Sequence, residues 1–323
     1  MSDKYTFNKH KDIAEYERIV SNSKQGTIFS NTSFLNALNI KYEIWNVMLG
    51  SQIKAVICLT LSKDKKKVIL SDKIIYGGII FNTDFSRIET KRRSEEFNIT
   101  EFLIKKLTRK FKSIEIQFSP EFKDIRPFQW FNYNNKNKKG FLIENRFTSL
   151  ISLNEKNLDN FLETEVYKNM ETVRRYDYRA AIKEKAKLTI SKDLSVFIEF
   201  YKNLFSKQKK VSKKYLIELQ KELNNIVKIG KGLMFHVEDK IGNILYTFFY
   251  ILEKDKAFYY LGAGNPKISK SWQSVFGHCE IFKYLNKKYD INQVDLEGVN
   301  SPFRGWFKLS LGGNLTQYYK VKI

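Results

Sequence analysis

The spacing of apolar and polar positions changes period several times along the chain. In the first half, β-branched and aromatic residues cluster into successive short runs at 42–49, 53–61 and 66–72, separated by Gly-Ser and Lys-Asp-Lys. That spacing predicts an antiparallel meander. Before it, 27–31 reads as a short strand or loop, and Ser33 as the cap of a short helix over 33–39. The Gly77-Gly78 pair interrupts an apolar run, where backbone bends or approaches a neighbour closely. Phe97, Ile99, Phe102, Leu103, Leu107 and Phe111 recur at helical spacing. Residues 113–120 alternate as a strand, and 141–153 read as a strand pair or one long strand.

The second half follows a similar order. A basic helix is predicted over 158–186, a strand over 188–191, and amphipathic helices over 194–210 and 214–227. A second meander follows in GLMFHVED, NILYTFFYILE and KAFYYLGAG, then a helix over 271–289 and a strand in QVDLEGV. FKLSLGG and TQYYKVKI are expected to close the sheet. Residues 42–120 and 232–297 thus share the order β-β-β-α-β, although no sequence identity relates them. The fold class expected is α/β of the α+β type: two tandem domains, 1–153 and 154–323, each a mixed, mostly antiparallel sheet flanked by helices.

Composition narrows this picture. Hydrophobic residues make up 42% and aromatic residues 15% of the 323, enough for a substantial core. Lys+Arg number 57 against 35 Asp+Glu, a net charge of +22. Two readings stay open: a surface for polyanions such as RNA, or lysines spread over solvated faces. The two cysteines, Cys58 and Cys279, offer neither a disulfide framework nor metal spacing, and three separated histidines argue against a metal site. The first twenty residues carry no signal-like apolar stretch, and no run approaches ~18 apolar residues. A cytoplasmic protein with no membrane span is expected.

The candidate chemistry lies in LEGVNSPFRGWFKLSLGG, 296–313, where four glycines accompany a proline, aromatic side chains, Arg304 and Lys308. Glycine lets a ligand approach backbone; a glycine-bulged terminal hairpin is the structural alternative. Lys308 is suited to stabilise a developing oxyanion or to hold a phosphate, unless it is an exposed strand lysine. Arg304 would clamp a phosphate, or stack on Trp306. Asp295 and Glu297 alternate along one strand and so face one side; Glu297 is the preferred proton acceptor for an attacking amine, with a structural carboxylate as alternative. His278 is a further candidate base, or a hydrogen-bonded helix residue. Phe307, Trp306, Asn300 and Tyr260 are candidate pocket residues. Gly262 and Gly264, in a tight turn, and Ser271, at a helix start, would offer backbone N–H groups to a phosphate. Arg175 and Arg179 share a helix face within a basic stripe that includes Arg174, placed to contact phosphates or simply solvated.

These segments also resemble a known family. IFSNTSFLNAL followed by a strand with Trp45, then IKAVICLTL, ETVRRYDYRAAIKEKAKLTI, YYLGAG and GVNSPFRGWFKLSLGG are similar to the pattern of the FemAB-like, twin-GNAT acyltransferases over nearly the whole chain. Phe307-Lys308 followed by Leu311-Gly312 resembles the family's Phe-Lys…Phe-Gly element, with Leu in place of the second Phe. The resemblance implies two GNAT-like domains and transfer of an acyl or aminoacyl group to an amine. It places Lys308 near the reacting ester and the site between the two halves. The implied donor is acyl-CoA, with an amine on an amino sugar or cell-envelope precursor as acceptor. The alternatives are aminoacyl-tRNA-dependent transfer to a peptidoglycan precursor, and a non-catalytic scaffold that binds nucleic acid or a membrane surface. The sequence departs from the family in lacking the helical arm of some Fem enzymes and the R/Q-x-x-G-x-G/A phosphate loop of CoA-binding GNAT enzymes.

Overall fold

The computed structural model describes residues 4–83, 88–135, 137–155, 158–204 and 212–323. The chain divides into two compact units, 1–146 with 317–323, and 147–316. It passes between them inside the strand Leu142–Ser152 and returns inside the strand Asn314–Lys322. The closing seven residues therefore belong to the first unit, whereas the sequence reading placed them in the second.

In the first unit the elements run β1 (Thr6–Lys9), α1 (Ile13–Asn22), α2 (Thr32–Ala37), β2 (Tyr42–Leu49), β3 (Gln52–Thr60), β4 (Lys67–Val68), β5 (Gly78–Phe81), α3 (Glu89–Lys110), β6 (Ser113–Gln117), α4 (Arg126–Gln129) and the start of β7 (Leu142–Ser152). β1, β2, β3 and β5 form an antiparallel sheet in that order. One face, with Trp45, Val47, Ala55 and Ile57, packs on α3 through Ile99, Leu103 and Leu107. The other, with Ile44, Val56 and Ile80, packs on α1 through Tyr16, Ile19 and Val20. Burial of both faces explains why these strands read as nearly continuous apolar runs.

β4 differs from expectation. Only Lys67–Val68 is strand, and it pairs in parallel with β6 rather than continuing the meander. Residues 28–30 form a 3-10 turn, and Asn31, not Ser33, caps α2 by accepting from the Phe34 amide. α3 begins at Glu89, eight residues before its first expected apolar position. Its opening turns, ETKRRSEE, are polar and carry no periodic signal. Just before β5 and just after β6, Gly77 and Phe118 form an isolated parallel bridge. A Cβ at Gly78, where φ is +90°, would lie 2.3 Å from the Phe118 ring, so glycine is required there.

The second unit contains the rest of β7, then α5 (Glu165–Lys168), α6 (Thr172–Lys183), β8 (Lys187–Ser191), α7 (Ser195–Leu204), α8 (Lys213–Lys228), β9 (Gly232–Glu238), β10 (Ile244–Glu253), β11 (Lys256–Gly264), α9 (Gln273–Tyr289), β12 (Gln293–Gly298), α10 (Pro302–Leu309) and the start of β13 (Asn314–Lys322). The predicted basic helix over 158–186 is instead a 3-10 turn and two helices, separated by Thr164 and by 169–171. The last turns of the helix expected over 194–210 lie outside the described residues. The strands order as β7-β12-β11-β10-β9-β8. All pairs are antiparallel except β11 with β12. α9 lays Val275, Phe276, Cys279 and Phe282 onto Phe235, Phe248 and Tyr250. Among the described residues, no helix is long and apolar enough to cross a membrane.

Two sequence expectations fail here. Gly262-Ala263-Gly264 is not a turn but the end of β11. FKLSLGG is not a strand: Pro302, at the first helical turn, begins α10, which carries Arg304, Phe307 and Lys308. Gly277 explains how α9 comes so close to the sheet. A Cβ there would stand 2.3 Å from Phe248 Cε2 and 2.9 Å from Val237 Cγ2. Helix propensity favours alanine at an interior glycine by about 0.5–1 kcal/mol, but overpacking costs about 1–3 kcal/mol. Gly277→Ala is therefore expected to destabilise the protein, read as a lower denaturant midpoint at unchanged m-value.

Candidate active site

β11 and β12 pair only from Lys256 to Phe258 against Gln293 to Asp295, and then part. Tyr259 follows the last paired residue of one strand, and Glu297 lies two beyond that of the other. Past Asp295 the register of β12 on β7 shifts, and Glu297 adopts φ +60°. A non-glycine residue in the left-handed region is strained by about 1–2 kcal/mol, so something must hold it. Asp295 does. Its buried carboxylate accepts from the Thr148 hydroxyl of β7 and from the Glu297 amide at 2.7 Å. The expectation that Asp295 and Glu297 share one side of a regular strand is thus corrected: Asp295 is spent on the backbone, and the kink re-aims Glu297.

The Glu297 carboxyl is left with Oε1 buried and unpartnered. Burial pushes its pKa well above the ordinary carboxylate range; the Lys308 charge opposes that rise and Asp295 adds to it. Lys308 experiences the converse. Burial lowers its pKa, Glu297 and Asp295 pull it back up, and Arg304 adds to the lowering. The two half-buried groups thus act on each other electrostatically, each favouring the other's charged form against the cost of burial. Lys308 Nζ lies 3.4 Å from the Gly298 carbonyl and 5.5 Å from the centre of the Tyr259 ring.

The rest of this wall is aromatic. The Tyr259 hydroxyl lies 3.3 Å from that of Tyr246, and the Tyr250 hydroxyl lies 2.6 Å from His278 Nδ1. The Tyr259 and Phe248 rings meet His278 edge-on, and Phe307 lies 6.1 Å from it. His278 is 1% exposed. Burial first, and the nearby Lys308 charge second, push its pKa down to about 3, so it stands neutral in this wall.

α10 is fixed from behind by Arg174 of α6. Arg174 Nε donates to Ser310 Oγ at 2.8 Å, a second nitrogen meets Asp177, and the guanidinium lies 4.9 Å from the Trp306 ring centre and 5.2 Å from that of Phe307. The stacking on Trp306 that the sequence offered to Arg304 is thus made by Arg174. Arg304 lies four residues before Lys308, on the same helical face and solvent-exposed. Gly305 lets α10 press on β12, since a Cβ there would lie 2.5 Å from the Val299 carbonyl.

Lys308, Glu297, His278 and Phe307 therefore converge, with Arg304 on the same helix. The other named residues lie apart from this cluster. The Asn300 amide both donates to and accepts from the backbone of Phe147, extending the ladder to β7. Tyr260 points to the opposite sheet face from Tyr259, toward Phe249. Gly262 makes room for a ring, since a Cβ there would lie 2.0 Å from the Tyr259 hydroxyl, whereas Gly264 is crowded by no ring, its nearest neighbour being Gln273 Nε2 at 3.3 Å. Ser271 is exposed, just before α9. On α6, Arg175 contacts Thr172 and Arg179 stacks on Tyr176. Tyr246, Tyr250, Tyr259 and Thr148 were not among the expected site residues, and Asp295, expected as a carboxylate beside Glu297, serves the backbone instead. The alternation of tyrosines in β10 and β11 is the signal that could have marked them.

With this geometry established, comparison with solved structures identifies the fold. FemX superposes with a TM-score of 0.65 at 14% identity, over 98% of this chain and 96% of that one. A tandem GNAT protein from the clavulanic acid biosynthesis pathway gives 0.57 at 8% identity, covering 99% and 98%. L-PGS from Bacillus licheniformis gives 0.56 at 11%, covering 97% and 92%. No protein-family model and no curated protein matches the sequence. The chain has the FemAB-like, tandem-GNAT fold.

Two expectations follow from the charge states. His278 should remain neutral between pH 5 and 8, read as fixed imidazole nitrogen shifts in NMR; a midpoint in that window would refute the assignment. Because its folded pKa is depressed, the unfolded chain takes up this proton first as pH falls below 6.5, and stability drops by about 1.4 kcal/mol per unit from this group alone. Glu297 has the opposite sign: its raised folded pKa means stability is lost as pH rises above 4.5. Glu297→Gln should therefore raise the melting temperature at pH 7–8, by an amount corresponding to about 1–2 kcal/mol.

Proposed function

We propose that the second unit is an N-acyltransferase site, in which an amine attacks an activated acyl group directly. The observation that carries this reading is the buried Glu297 carboxyl, unpartnered at Oε1 and electrostatically coupled to Lys308 where β11 and β12 part. An acceptor entering as an ammonium is desolvated there. Its pKa falls while that of Glu297 is already raised, so the proton passes to the carboxylate and frees the nitrogen lone pair. The nitrogen bonds to the acyl carbon, the carbonyl oxygen gathers negative charge, and the Lys308 N–H groups stabilise it. Collapse expels the donor's thiolate or alkoxide, which takes up a proton. Tyr259, Tyr246 and Phe307 exclude water from the step, and Arg304 is placed to meet a donor's phosphate.

The donor we favour is an acyl-CoA, and the acceptor an amine on an amino sugar or other cell-envelope precursor, in a cytoplasmic setting. A second reading, transfer from aminoacyl-tRNA to a peptidoglycan precursor, is favoured by the net charge of +22. Thermal shift at matched low salt distinguishes them. A ligand at one hundred times its Kd stabilises by ~2.7 kcal/mol. A shift with acetyl-CoA and none with deacylated tRNA supports the first reading. A shift with tRNA alone, abolished by salt, supports the second.

With the donor so identified, Lys308→Ala is expected to lower kcat by about 10²–10³, and Glu297→Gln by about 10². Both should be measured beside melting curves. Unchanged turnover in a folded Lys308→Ala protein would remove Lys308 from the chemistry, and absence of turnover by the unmodified protein with either donor would leave a non-catalytic scaffold as the better description.

A further inference from the structure

The first unit contains its own cleft, built from residues that the transfer chemistry does not use. It lies between the end of β5, the chain after β6, the segment 23–25 and α3. The space between them encloses about 490 Å³, within the range of small-molecule sites. Its apolar floor is the Phe81 and Phe122 rings, stacked at 6.2 Å. Its walls carry charges of both signs, and most of those already have partners. Asp124 accepts from Arg126 through two nitrogens, and Glu121 lies 3.7 Å from Lys123.

Glu96 of α3 is the least closely paired of these acids. Its side chain is 25% exposed, and no described residue donates a hydrogen bond to its carboxylate. The nearest cation is Arg92, one turn earlier and 3.9 Å away, too far for a hydrogen bond. Burial raises the Glu96 pKa, with Arg92 and Lys24 opposing and Asp124 and Glu95 adding to the rise. An under-solvated carboxylate of this kind gains from a ligand cation that brings its own N–H donors. Arg92 and Lys24 likewise face the cleft and are placed to receive an anion. The acidic groups around them disfavour a polyphosphate, and the polar walls disfavour a purely apolar guest.

We propose that this cleft is a second small-molecule site, which takes a free α-amino acid with its ammonium on Glu96, its carboxylate between Arg92 and Lys24, and its side chain over Phe81 and Phe122. The test is isothermal titration of the full chain with glycine, L-alanine, L-serine and L-lysine, with propylamine, propionate and coenzyme A as controls. Saturable one-to-one binding of at least one amino acid is expected, about tenfold or more tighter than either single-charge control. Glu96→Gln should weaken it at least about tenfold, while Lys308→Ala leaves it unchanged. If Glu96→Gln does not fold, Arg92→Gln on the solvent-facing helix carries the same expectation. The proposal is overturned if no amino acid saturates, if Glu96→Gln and Arg92→Gln both bind normally, if Lys308→Ala abolishes binding, or if coenzyme A competes.

Discussion

The buried Asp295 carboxylate is the constraint on which the candidate active site depends. An ionised group in an apolar sheet interior is tolerated only when hydrogen bonds replace its lost hydration. Here they come from the Thr148 hydroxyl and the Glu297 amide. The second of these fixes the backbone of Glu297 at φ +60°. The local strain is of order 1–2 kcal/mol, comparable with one charge-assisted hydrogen bond, so the two balance. In a regular strand, period-two alternation would put both carboxyls on one face, side by side. The kink separates their duties: one is consumed by the fold and the other is left short of partners beside Lys308.

Lys308 depends on a second constraint, the close seating of α10. An eight-residue helix has little stability of its own and must be held by contacts. Gly305 sits against the Val299 carbonyl. Gly312, at φ +86°, sits against the Asn169 backbone, and Gly313 against Ser149. Arg174 ties the far side to α6 through Ser310, Trp306 and Phe307. The glycines of this segment thus serve the approach of a helix to backbone rather than the approach of a ligand. The residue types that suggested a binding loop are those that a tightly docked short helix needs.

This marks the limit of what the chain's pattern could reveal. Strands buried on both faces, such as β2, β3 and β10, were legible because continuous apolar runs between turn residues have few other uses. α8 and the apolar half of α3 were legible from their period. The polar opening of α3 was not, because a solvated helix end leaves no apolar rhythm. Lys308 and Glu297 could be named from residue type and the family's Phe-Lys element, but their helix and kink could not, since both arise from contacts distant in sequence. The tyrosine wall was hidden for another reason: Tyr250 and Tyr259 look like ordinary strand aromatics until α9 brings His278 against them, and Tyr246 until its hydroxyl meets that of Tyr259.

The candidate site of the second unit lies where the parallel pair β11–β12 parts, whereas the cleft of the first unit lies between the end of β5, the chain after β6 and α3, and the chemistry of the two places diverges. Parallel strands that part early leave a wedge which the fold does not itself fill, and the surrounding side chains decide its dielectric. In the second unit, tyrosine, phenylalanine and histidine rings keep water out. Charge is then costly, and burial raises the Glu297 pKa and lowers that of Lys308 while each group's charge opposes the other's shift. In the first unit, Arg92, Glu121 and Lys123 line the cleft with polar groups, in ion pairs of 3.9 Å and 3.7 Å. Water exclusion favours proton transfer and acyl chemistry, whereas a wet ionic wedge favours reversible recognition of a charged ligand. The difference lies in which side chains, aromatic or charged, line each place.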